Sequence, residues 1–248
     1  MIVDGSLGPR VRWAFADRTT GASLPPYAAG NLADHVGDDP EHVSSNRAAL
    51  AGAVGVDPVH LVSMAPVHGN AVGHVEGPSE DPVPEVDALV TTVPGLALLV
   101  VAADCVPVLL ADGEAGVVAV VHSGWRGVLA DVTGTALRSM TGLGARRERV
   151  RAVVGPAICG SCYDVPRERF DEVSAVAPSA GTVASGGRPG LDLRAAVVSR
   201  LRADGVTVTL HGGCTAESPD LYSFRRDPVT GRHGGVVMLR PEQRPAQV

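Results

Sequence analysis

Short apolar runs separated by turn residues dominate this chain, and they predict a protein rich in β-strands. Several of the runs are apolar at every position, which is typical of strands covered on both faces. The predicted strands are Val59–Met64, Ala88–Thr92, Leu96–Ala103, Val106–Ala111, Val117–His122, Val150–Val154, Val206–Leu210 and Gly235–Leu239.

Helix signals occur in three other places, as a capping residue or proline at the start, apolar residues at helical spacing and glycine near the end. The predicted helices run from Asp39 to Gly55, from Gly124 to Met140 and from Asp192 to Asp204. Strands interleaved with helices predict an α/β or α+β fold with mixed sheets, as one domain over residues 1–248. Residues Glu76–Glu85 and Pro178–Gly190 are predicted loops, and Pro241–Val248 is predicted to be a frayed tail.

The basic residues limit the chemistry available to the chain, because all 21 of them are arginines and lysine is absent. A Schiff-base enzyme, a pyridoxal-phosphate enzyme and a lysine-containing P-loop are therefore excluded. The net charge of −6 and an aromatic content of 3% argue against nucleic-acid binding. The sequence shows no signal peptide, no apolar stretch long enough for a membrane, and only 4 cysteines. We therefore expect a soluble cytoplasmic protein with reduced thiols.

Two apolar runs on either side of residues 112–115 predict a β-hairpin. If Ala111 faces Gly116 across this hairpin, then Cys105 faces His122 at its open end. Directly opposed Cβ atoms are about 4.5–5.5 Å apart, so a sulfur and an imidazole nitrogen at these positions can share one metal ion.

His68 is the best candidate for a third ligand, because it lies just past the predicted strand Val59–Met64 and so also at a strand end. A Cys-His-His set leaves one zinc position open for water or substrate, as in catalytic zinc sites. The same residues have ordinary interpretations, since a buried cysteine is usually an inert small hydrophobe and a lone histidine usually a hydrogen-bonded structural residue. Spacing alone leaves both interpretations open.

Anion binding is a further possibility around Arg126, which follows His122 at a predicted helix start. Free backbone N–H groups there attract anions, and a guanidinium adds a planar fork, although a solvated first-turn arginine fits the pattern equally well. The pair Arg225-Arg226, with Arg232, is interpreted either as an anion clamp or as a solvated basic face.

The remaining cysteines give weaker signals. Cys159 and Cys162 form a C-x-x-C motif without a second such motif, and we interpret them as structural residues. Cys214 follows a predicted strand and is expected either to line a pocket or to pack in the core.

Motifs along nearly the whole chain agree with one family. The most specific are Ala103-Asp104-Cys105 and His122-Ser123-Gly124-Trp125-Arg126-Gly127, and others are Asn31-Leu32, Asn46-Arg47, Val67-His68-Gly69, Cys162-Tyr163-Asp164-Val165, Leu191-Asp192-Leu193-Arg194 and Ser223-Phe224-Arg225-Arg226. The chain thereby resembles the YfiH-type family, whose domain has been called both a laccase (polyphenol oxidase) domain and a purine nucleoside phosphorylase. It departs from the family pattern at Pro66, where the family usually has glutamine, and at Ser123, where it usually has alanine.

The resemblance implies a layered sandwich of mixed sheets and a single zinc ion bound by the catalytic residues His68, Cys105 and His122. It implies purine nucleosides and phosphate as substrates, in phosphorolysis of adenosine, inosine or methylthioadenosine and in deamination of adenosine. The chain is expected to act as a monomer or homodimer. The candidates for substrate and phosphate binding are Arg47 and Arg126, followed by Asn46, Arg225 and Arg232.

Three other functions stay open. A copper-dependent polyphenol oxidase (laccase) would need several coppers and His-x-His pairs, and none of the 8 histidines forms such a pair. A hydrolase that edits peptidoglycan precursors would use Cys105 as nucleophile or zinc ligand. A metal-stabilised binding module without catalysis is kept open by Pro66.

Overall fold

Two β-sheets stacked face to face form the centre of the molecule, and helices cover both outer faces. The computed structural model describes residues 1–241, so all but the first residue of the predicted tail 241–248 lies outside the described residues. The helices are Pro40–Val54 (α1), Trp125–Leu129 (α2), Val132–Gly142 (α3), Arg167–Val176 (α4) and Leu193–Ala203 (α5). None of these described helices is long and apolar enough to cross a membrane.

The strands are mostly short, and three 3₁₀ turns stand between them at Pro58–His60, Arg147–Arg149 and Pro178–Ala180. The strands are Ile2–Ser6 (β1), Val11–Ala16 (β2), Leu61–Val62 (β3), Met64–Ala65 (β4), Val72–His74 (β5), Val83–Pro84 (β6), Ala88–Thr91 (β7), Ala97–Ala102 (β8), Val106–Asp112 (β9), Val117–Ser123 (β10), Arg151–Val154 (β11), Gly181–Val183 (β12), Pro189–Leu191 (β13), Thr207–Leu210 (β14) and His233–Leu239 (β15).

Both large sheets mix parallel and antiparallel pairs, as predicted. The first sheet has the strand order β1-β2-β15-β8-β3, and the second has the order β14-β11-β9-β10-β7-β5. The parallel pairs are β3 with β8, β11 with β14 and β5 with β7. Two small ladders, β12 with β13 and β4 with β6, lie outside the large sheets.

Three groups of buried apolar residues fill the layers. One lies between the sheets and includes Phe15, Leu98 and Leu109. A second lies between the other face of the second sheet and helices α2 to α5, and a third between the first sheet and α1. The central strands are therefore covered on both faces, which explains their continuous apolar sequences. The predicted layered α+β sandwich is confirmed.

The helices predicted at Asp39 and Asp192 are confirmed as α1 and α5. The two carboxylates cap these helices by accepting the backbone N–H groups of Glu41 and Ala195 at 2.9 and 2.8 Å. Gly55 ends α1 in the left-handed conformation, with φ of 83°, which glycine adopts without steric cost.

The single helix predicted from Gly124 to Met140 is wrong, because the chain breaks it at Asp131 into α2 and α3. Asp131 has a left-handed φ of 54°, and its carboxylate accepts the backbone N–H of Gly134. The guanidinium of Arg200 in α5 donates to both Asp131 oxygens, at 2.8 and 3.1 Å. A break held by a residue so far along the chain leaves no local signal.

Seven of the eight predicted strands lie within two residues of an observed strand. The eighth, Val59–Met64, is instead a 3₁₀ turn followed by β3 and the start of β4. The predicted loop Glu76–Glu85 contains β6, and the predicted loop Pro178–Gly190 contains β12 and most of β13. Strands β1, β2 and β5 and helix α4 lie where no element was predicted.

The predicted hairpin exists as β9 and β10, but its predicted register is wrong by two residues. Val118, not Gly116, faces Ala111. Strand β9 extends through Asp112, whose carboxylate closes the turn by accepting hydrogen bonds from Glu114, Ala115, Arg146 and Arg149. Because side chains alternate with a period of two, a shift of two residues leaves every side chain on its predicted face.

Candidate metal centre

The three predicted metal ligands meet at one end of the second sheet. Cys105 directly precedes β9, His122 lies in β10, and His68 lies in the loop after β4. One ligand atom from each lies within 4.8 Å of the other two, and Cys105 Sγ is 3.9 Å from His68 Nε2. The fold thus brings together the set selected from the sequence, whose role as ligands stays a prediction.

Gly124 leaves the space that this cluster occupies. The register of β9 and β10, continued one step beyond the pair of Val106 with Ser123, places Gly124 beside Cys105. A Cβ atom on Gly124 would lie 3.0 Å from the His68 ring and 3.2 Å from Cys105 Sγ. A larger residue would therefore push the two candidate ligands away from their present positions.

A buried carboxylate, which the sequence analysis missed, organises the cluster. Asp87 directly precedes β7 and has no exposed surface. Its oxygens accept the backbone N–H groups of Val67, His68 and Gly69 at 3.2, 2.9 and 2.7 Å. The Oδ1 atom also lies 3.0 Å from His122 Nδ1. Because Nδ1 of His122 donates to Asp87, Nε2 is the ring nitrogen left to bind a metal.

These four hydrogen bonds are what allows a carboxylate to be buried here. Although burial opposes ionisation, the bonds from His122 and from the backbone lower the pKa of Asp87. They also hold His68 in a left-handed backbone conformation, with φ of 62°, which a non-glycine residue seldom adopts. The only signal for Asp87 in the sequence is an acidic residue between the apolar Val86 and Ala88.

Cys105 and His122 form a thiolate–imidazolium pair when no metal is bound. Burial opposes a charged thiol, but the two neighbouring histidines lower the pKa of Cys105 to about 6. Burial likewise opposes a charged imidazole, but Cys105 and Asp87 raise the pKa of His122 to about 9. Each group stabilises the charge of the other.

The donor set fits one transition-metal ion. A thiolate with two imidazoles suits zinc and also copper, so the set by itself does not choose between them. Three protein donors leave a further coordination position open towards the cavity, as catalytic sites require. His68 is exposed and His122 is buried, with 5% of its surface accessible, so the cluster extends from the protein interior to the cavity surface.

The cluster lies in the wall of a cavity of about 910 Å³. That volume is in the range that holds drug-sized ligands. The lining combines apolar residues with aromatic and charged ones, among them Met64, Ile158, Leu193, Trp125, Tyr163, Phe224, Asp34, His35, Arg126, Arg225 and Arg232. Pro66, the departure from the family pattern, also lines this cavity.

Three of the predicted anion-binding arginines line the cavity, but their surroundings differ. Arg225 lies 3.2 Å from Asp164, a carboxylate that it shares with Arg188 at 2.8 Å, so one negative charge faces two guanidinium groups. Arg126 stacks over the Trp125 ring at 4.5 Å, and no carboxylate of residues 1–241 lies within ion-pair distance of it. Arg232 donates to two backbone carbonyls, and burial lowers its pKa without discharging it. Arg126 and Arg232 are thus the cavity arginines that have no carboxylate within ion-pair distance among residues 1–241, whereas Arg225 shares one with Arg188.

Arg47 and Asn46 lie in α1 and are not among the residues that line the cavity. Arg47 donates to the Leu32 carbonyl at 2.8 Å and pairs with Asp34 at 3.2 Å. The buried Asn46 side chain bonds with groups of Ala22, Ser23, Ala29 and Asn31. Both side chains therefore hold the segment of residues 22–34, and Arg47 reaches the cavity only through Asp34.

A family model described as multi-copper polyphenol oxidoreductase laccase matches residues 12–240. A protein of Streptomyces coelicolor named purine nucleoside phosphorylase is 48% identical over 229 residues, which cover 92% of this chain and 95% of that protein. A protein of Mycobacterium tuberculosis with the same name is 44% identical over 236 residues, covering 95% of this chain and 94% of that protein.

Solved structures show the same fold. The YfiH protein of Bacillus licheniformis superposes with a TM-score of 0.86 at 26% identity, covering 93% of both chains. YlmD of Geobacillus stearothermophilus gives a TM-score of 0.86 at 28% identity, covering 96% of this chain and 94% of that one. The resemblance read from the motifs is confirmed.

Replacing Asp87 should weaken metal binding at the cluster. In Asp87→Asn, one carboxylate oxygen becomes an amide NH₂ that faces backbone donors, so His122 and the 67–69 loop lose their alignment. We expect the affinity for zinc to fall roughly 10- to 100-fold, the usual effect of removing an outer-shell partner. Competition with a chelating dye measures this change. Asp81→Asn, at an exposed carboxylate, is the matched control, and equal affinities in the two variants would contradict the role of Asp87.

Metal binding should also release protons in a predictable pH range. Between about pH 6 and about pH 9, Cys105 is ionised but His122 carries a proton that a metal must displace. The apparent affinity should therefore rise about tenfold per pH unit in this range, and more steeply below it, where the thiol is also protonated. Calorimetry of zinc binding in buffers of different ionisation enthalpy counts the protons. A heat independent of the buffer at pH 7.5 would disprove the thiolate–imidazolium pair.

Proposed function

This chain belongs to the family described as multi-copper polyphenol oxidoreductase laccase, and on that premise we propose that it is a zinc-dependent purine nucleoside phosphorylase. The observation that carries the proposal is the placement of the Cys-His-His cluster and the uncompensated Arg126 in the wall of one cavity. The names of the bacterial relatives support the same activity.

Phosphate is proposed to bind between Arg126 and Arg232. A guanidinium holds a phosphate through two parallel hydrogen bonds, and the absence of lysine leaves arginine as the side chain for this task. Arg126 is kept in place by stacking on Trp125, whose other neighbour is the guanidinium of Arg169 at 4.4 Å. Arg225 is proposed to position the cavity wall, because its guanidinium donates to both the backbone carbonyl and the carboxylate of Asp164.

The purine is proposed to lie against the aromatic side chains of the cavity. Tyr163 and Phe224 both line it, and 55% of the Phe224 surface is exposed although the residue is apolar. An exposed aromatic ring in a cavity offers a stacking surface for a planar base. In phosphorolysis, a phosphate oxygen bonds to the ribose C1′ while the bond from C1′ to the purine nitrogen breaks. The two substrate sites must therefore meet beside the cluster.

His68, Cys105 and His122 are proposed to hold the zinc ion. When bound there, zinc supplies a Lewis acid at the cavity wall. Asp87 keeps His122 in the tautomer that presents Nε2, and Gly124 keeps the space open. A zinc ion held by cysteine and histidine is also the arrangement that nucleobase deaminases use, so we include adenosine deamination as a second activity of the same cavity.

The number of histidine-containing ligand groups favours a single zinc ion over several coppers. Within residues 1–241, one group of potential metal ligands contains histidine, and it has three members. A multi-copper oxidase of the laccase kind would need several histidine-rich sites. Elemental analysis of the purified protein decides the identity of the metal, and several coppers per chain with oxygen-consuming phenol oxidation would replace this proposal.

The activity can be tested with protein of known metal content. Adenosine, inosine and methylthioadenosine are each incubated with and without phosphate, and the products are separated by chromatography. We expect phosphate-dependent release of the free purine together with ribose 1-phosphate or its methylthio analogue, lost in His68→Ala. Inosine formed from adenosine without phosphate would report deamination. Neither product, from protein with full zinc occupancy, would contradict the proposal.

Removal of the Arg126 guanidinium should weaken phosphate binding selectively. A hydrogen bond to a charged group contributes about 1.5–3 kcal/mol, so Arg126→Ala should raise the KM for phosphate roughly 10- to 100-fold. The KM for the nucleoside should change much less. Arg167→Ala is the matched control, since Arg167 is exposed on α4 and pairs with Asp171. An unchanged phosphate KM in Arg126→Ala would exclude Arg126 from the phosphate site.

A further inference from the structure

A second group of potential metal ligands lies behind the cavity wall, where two loops meet. Cys159 and Cys162 lie in the loop after β11, and Cys214 and Glu217 lie in the loop after β14. The three sulfurs and a carboxylate oxygen all lie within 4.8 Å of one another. Cys214 is not among the residues that line the cavity, so its sulfur belongs to this group instead.

The fold brings these loops together through parallel pairing. Strands β11 and β14 are parallel neighbours, so the loops that follow them leave the same edge of the sheet. An isolated bridge joins Ala157 to Cys214, and the backbone N–H of Cys159 donates to Cys214 Sγ at 3.3 Å. In the sequence the four residues form a C-x-x-C and a C-x-x-E, both with the two-residue spacing of structural zinc sites.

The contacts inside the group suit a small cation. Glu217 Oε1 lies 3.5 Å from Cys162 Sγ and 3.7 Å from Cys159 Sγ. Around a tetrahedral zinc with bonds of about 2.3 Å, neighbouring sulfurs are about 3.8 Å apart, so little movement is needed to close the site. The four cysteines of the chain are all free thiols in the structure. Cys159 Sγ also contacts the Ser161 hydroxyl at 3.0 Å.

We propose that Cys159, Cys162, Cys214 and Glu217 bind a second zinc ion, separate from the His68 cluster. Three thiolates and one carboxylate complete a tetrahedron without water, which is the coordination of a structural site rather than a catalytic one. The thiolates select a soft transition-metal ion over magnesium or calcium.

The position of the group indicates what this ion does. Ile158 and Tyr163, on either side of the C-x-x-C, both line the cavity. Thr215, next to Cys214, donates its hydroxyl to Asp104 at 2.6 Å, and Asp104 precedes the candidate ligand Cys105. An ion that joins the two loops therefore fixes the cavity wall and the approach to Cys105.

Without a metal, the three thiols differ in pKa. Although burial opposes its ionisation, hydrogen bonds with Ser161 and Cys214 lower the pKa of Cys159. Burial and the neighbouring Cys159 and Cys214 raise the pKa of Cys162 to about 12. Zinc displaces such protons because the thiolate is the ligand.

Zinc content per chain tests the proposal without reference to enzymatic activity. Protein produced with added zinc and then desalted should hold two zinc ions per chain, one for each ligand group. Cys162→Ser should hold one. The matched control Cys105→Ser removes a sulfur from the other cluster and should also hold one, and the double variant should hold none. Two ions retained in Cys162→Ser, or no ion retained in Cys105→Ser, would overturn the proposal.

Cobalt identifies which site each variant retains. Absorption by thiolate-bound Co²⁺ increases with the number of sulfurs, so Cys105→Ser loaded with cobalt should absorb about three times as strongly as Cys162→Ser. Glu217 is exposed, so Glu217→Gln should fold, and it keeps all three sulfurs of the site. Because it lacks the fourth ligand, this variant should lose its zinc to a chelator faster than the unaltered protein. A mass lower by two hydrogens under non-reducing conditions would show a disulfide in place of the site and overturn the proposal.

Discussion

The hydrogen bonds of one buried carboxylate, Asp87, hold the candidate metal ligands in their present arrangement. An ionised carboxylate without exposed surface is costly unless its oxygens are fully bonded. Here they accept three backbone N–H groups from the loop of His68 and the ring N–H of His122. These bonds restrict movement, because the His68 loop and the His122 ring cannot shift without leaving the buried Asp87 carboxylate unpaired. Two of the three candidate ligands are fixed by the same group.

The parts of the fold that local patterns predict are those whose stability is itself local. Strand β8 is apolar throughout and β9 is apolar as far as Ala111, because both faces of each are covered. Helices α1 and α5 begin at capping aspartates that bond within one turn. The predictions fail where a side chain far away in the sequence determines where an element ends. Arg200 fixes the break between α2 and α3, and Arg149 helps Asp112 to extend β9. Such contacts join residues far apart in sequence, so periodicity cannot show them.

The hairpin prediction expected Cys105 and His122 to lie close together, which they do, although its register is wrong. A slip of two residues preserves the face of every side chain, so Cys105 and His122 still lie on the same side of the sheet. The role of Asp87 could not be predicted either, because one acidic residue before an apolar strand resembles a turn residue. Only the fold shows that the loop of His68 packs over it and donates to it. The sequence could not show which arginines keep an unpaired charge, because the carboxylates that pair with them lie elsewhere in the chain.

A second aspartate, Asp104, holds the segment that carries Cys105. Asp104, before Cys105, has a left-handed φ of 92°, and its oxygens accept the Thr215 hydroxyl and the Arg225 backbone N–H, both at 2.6 Å. Asp87 and Asp104 thus fix the candidate ligands through N–H and O–H donors. Within residues 1–241, no arginine side chain lies within ion-pair distance of either. Because these donors come from the backbone, a hydroxyl and the His122 ring, neither acid occupies the guanidinium of Arg126 or Arg232, the two arginines proposed to bind phosphate. Under the proposed function, one set of groups therefore holds the candidate ligands and another binds the phosphate, although both lie in the wall of one cavity.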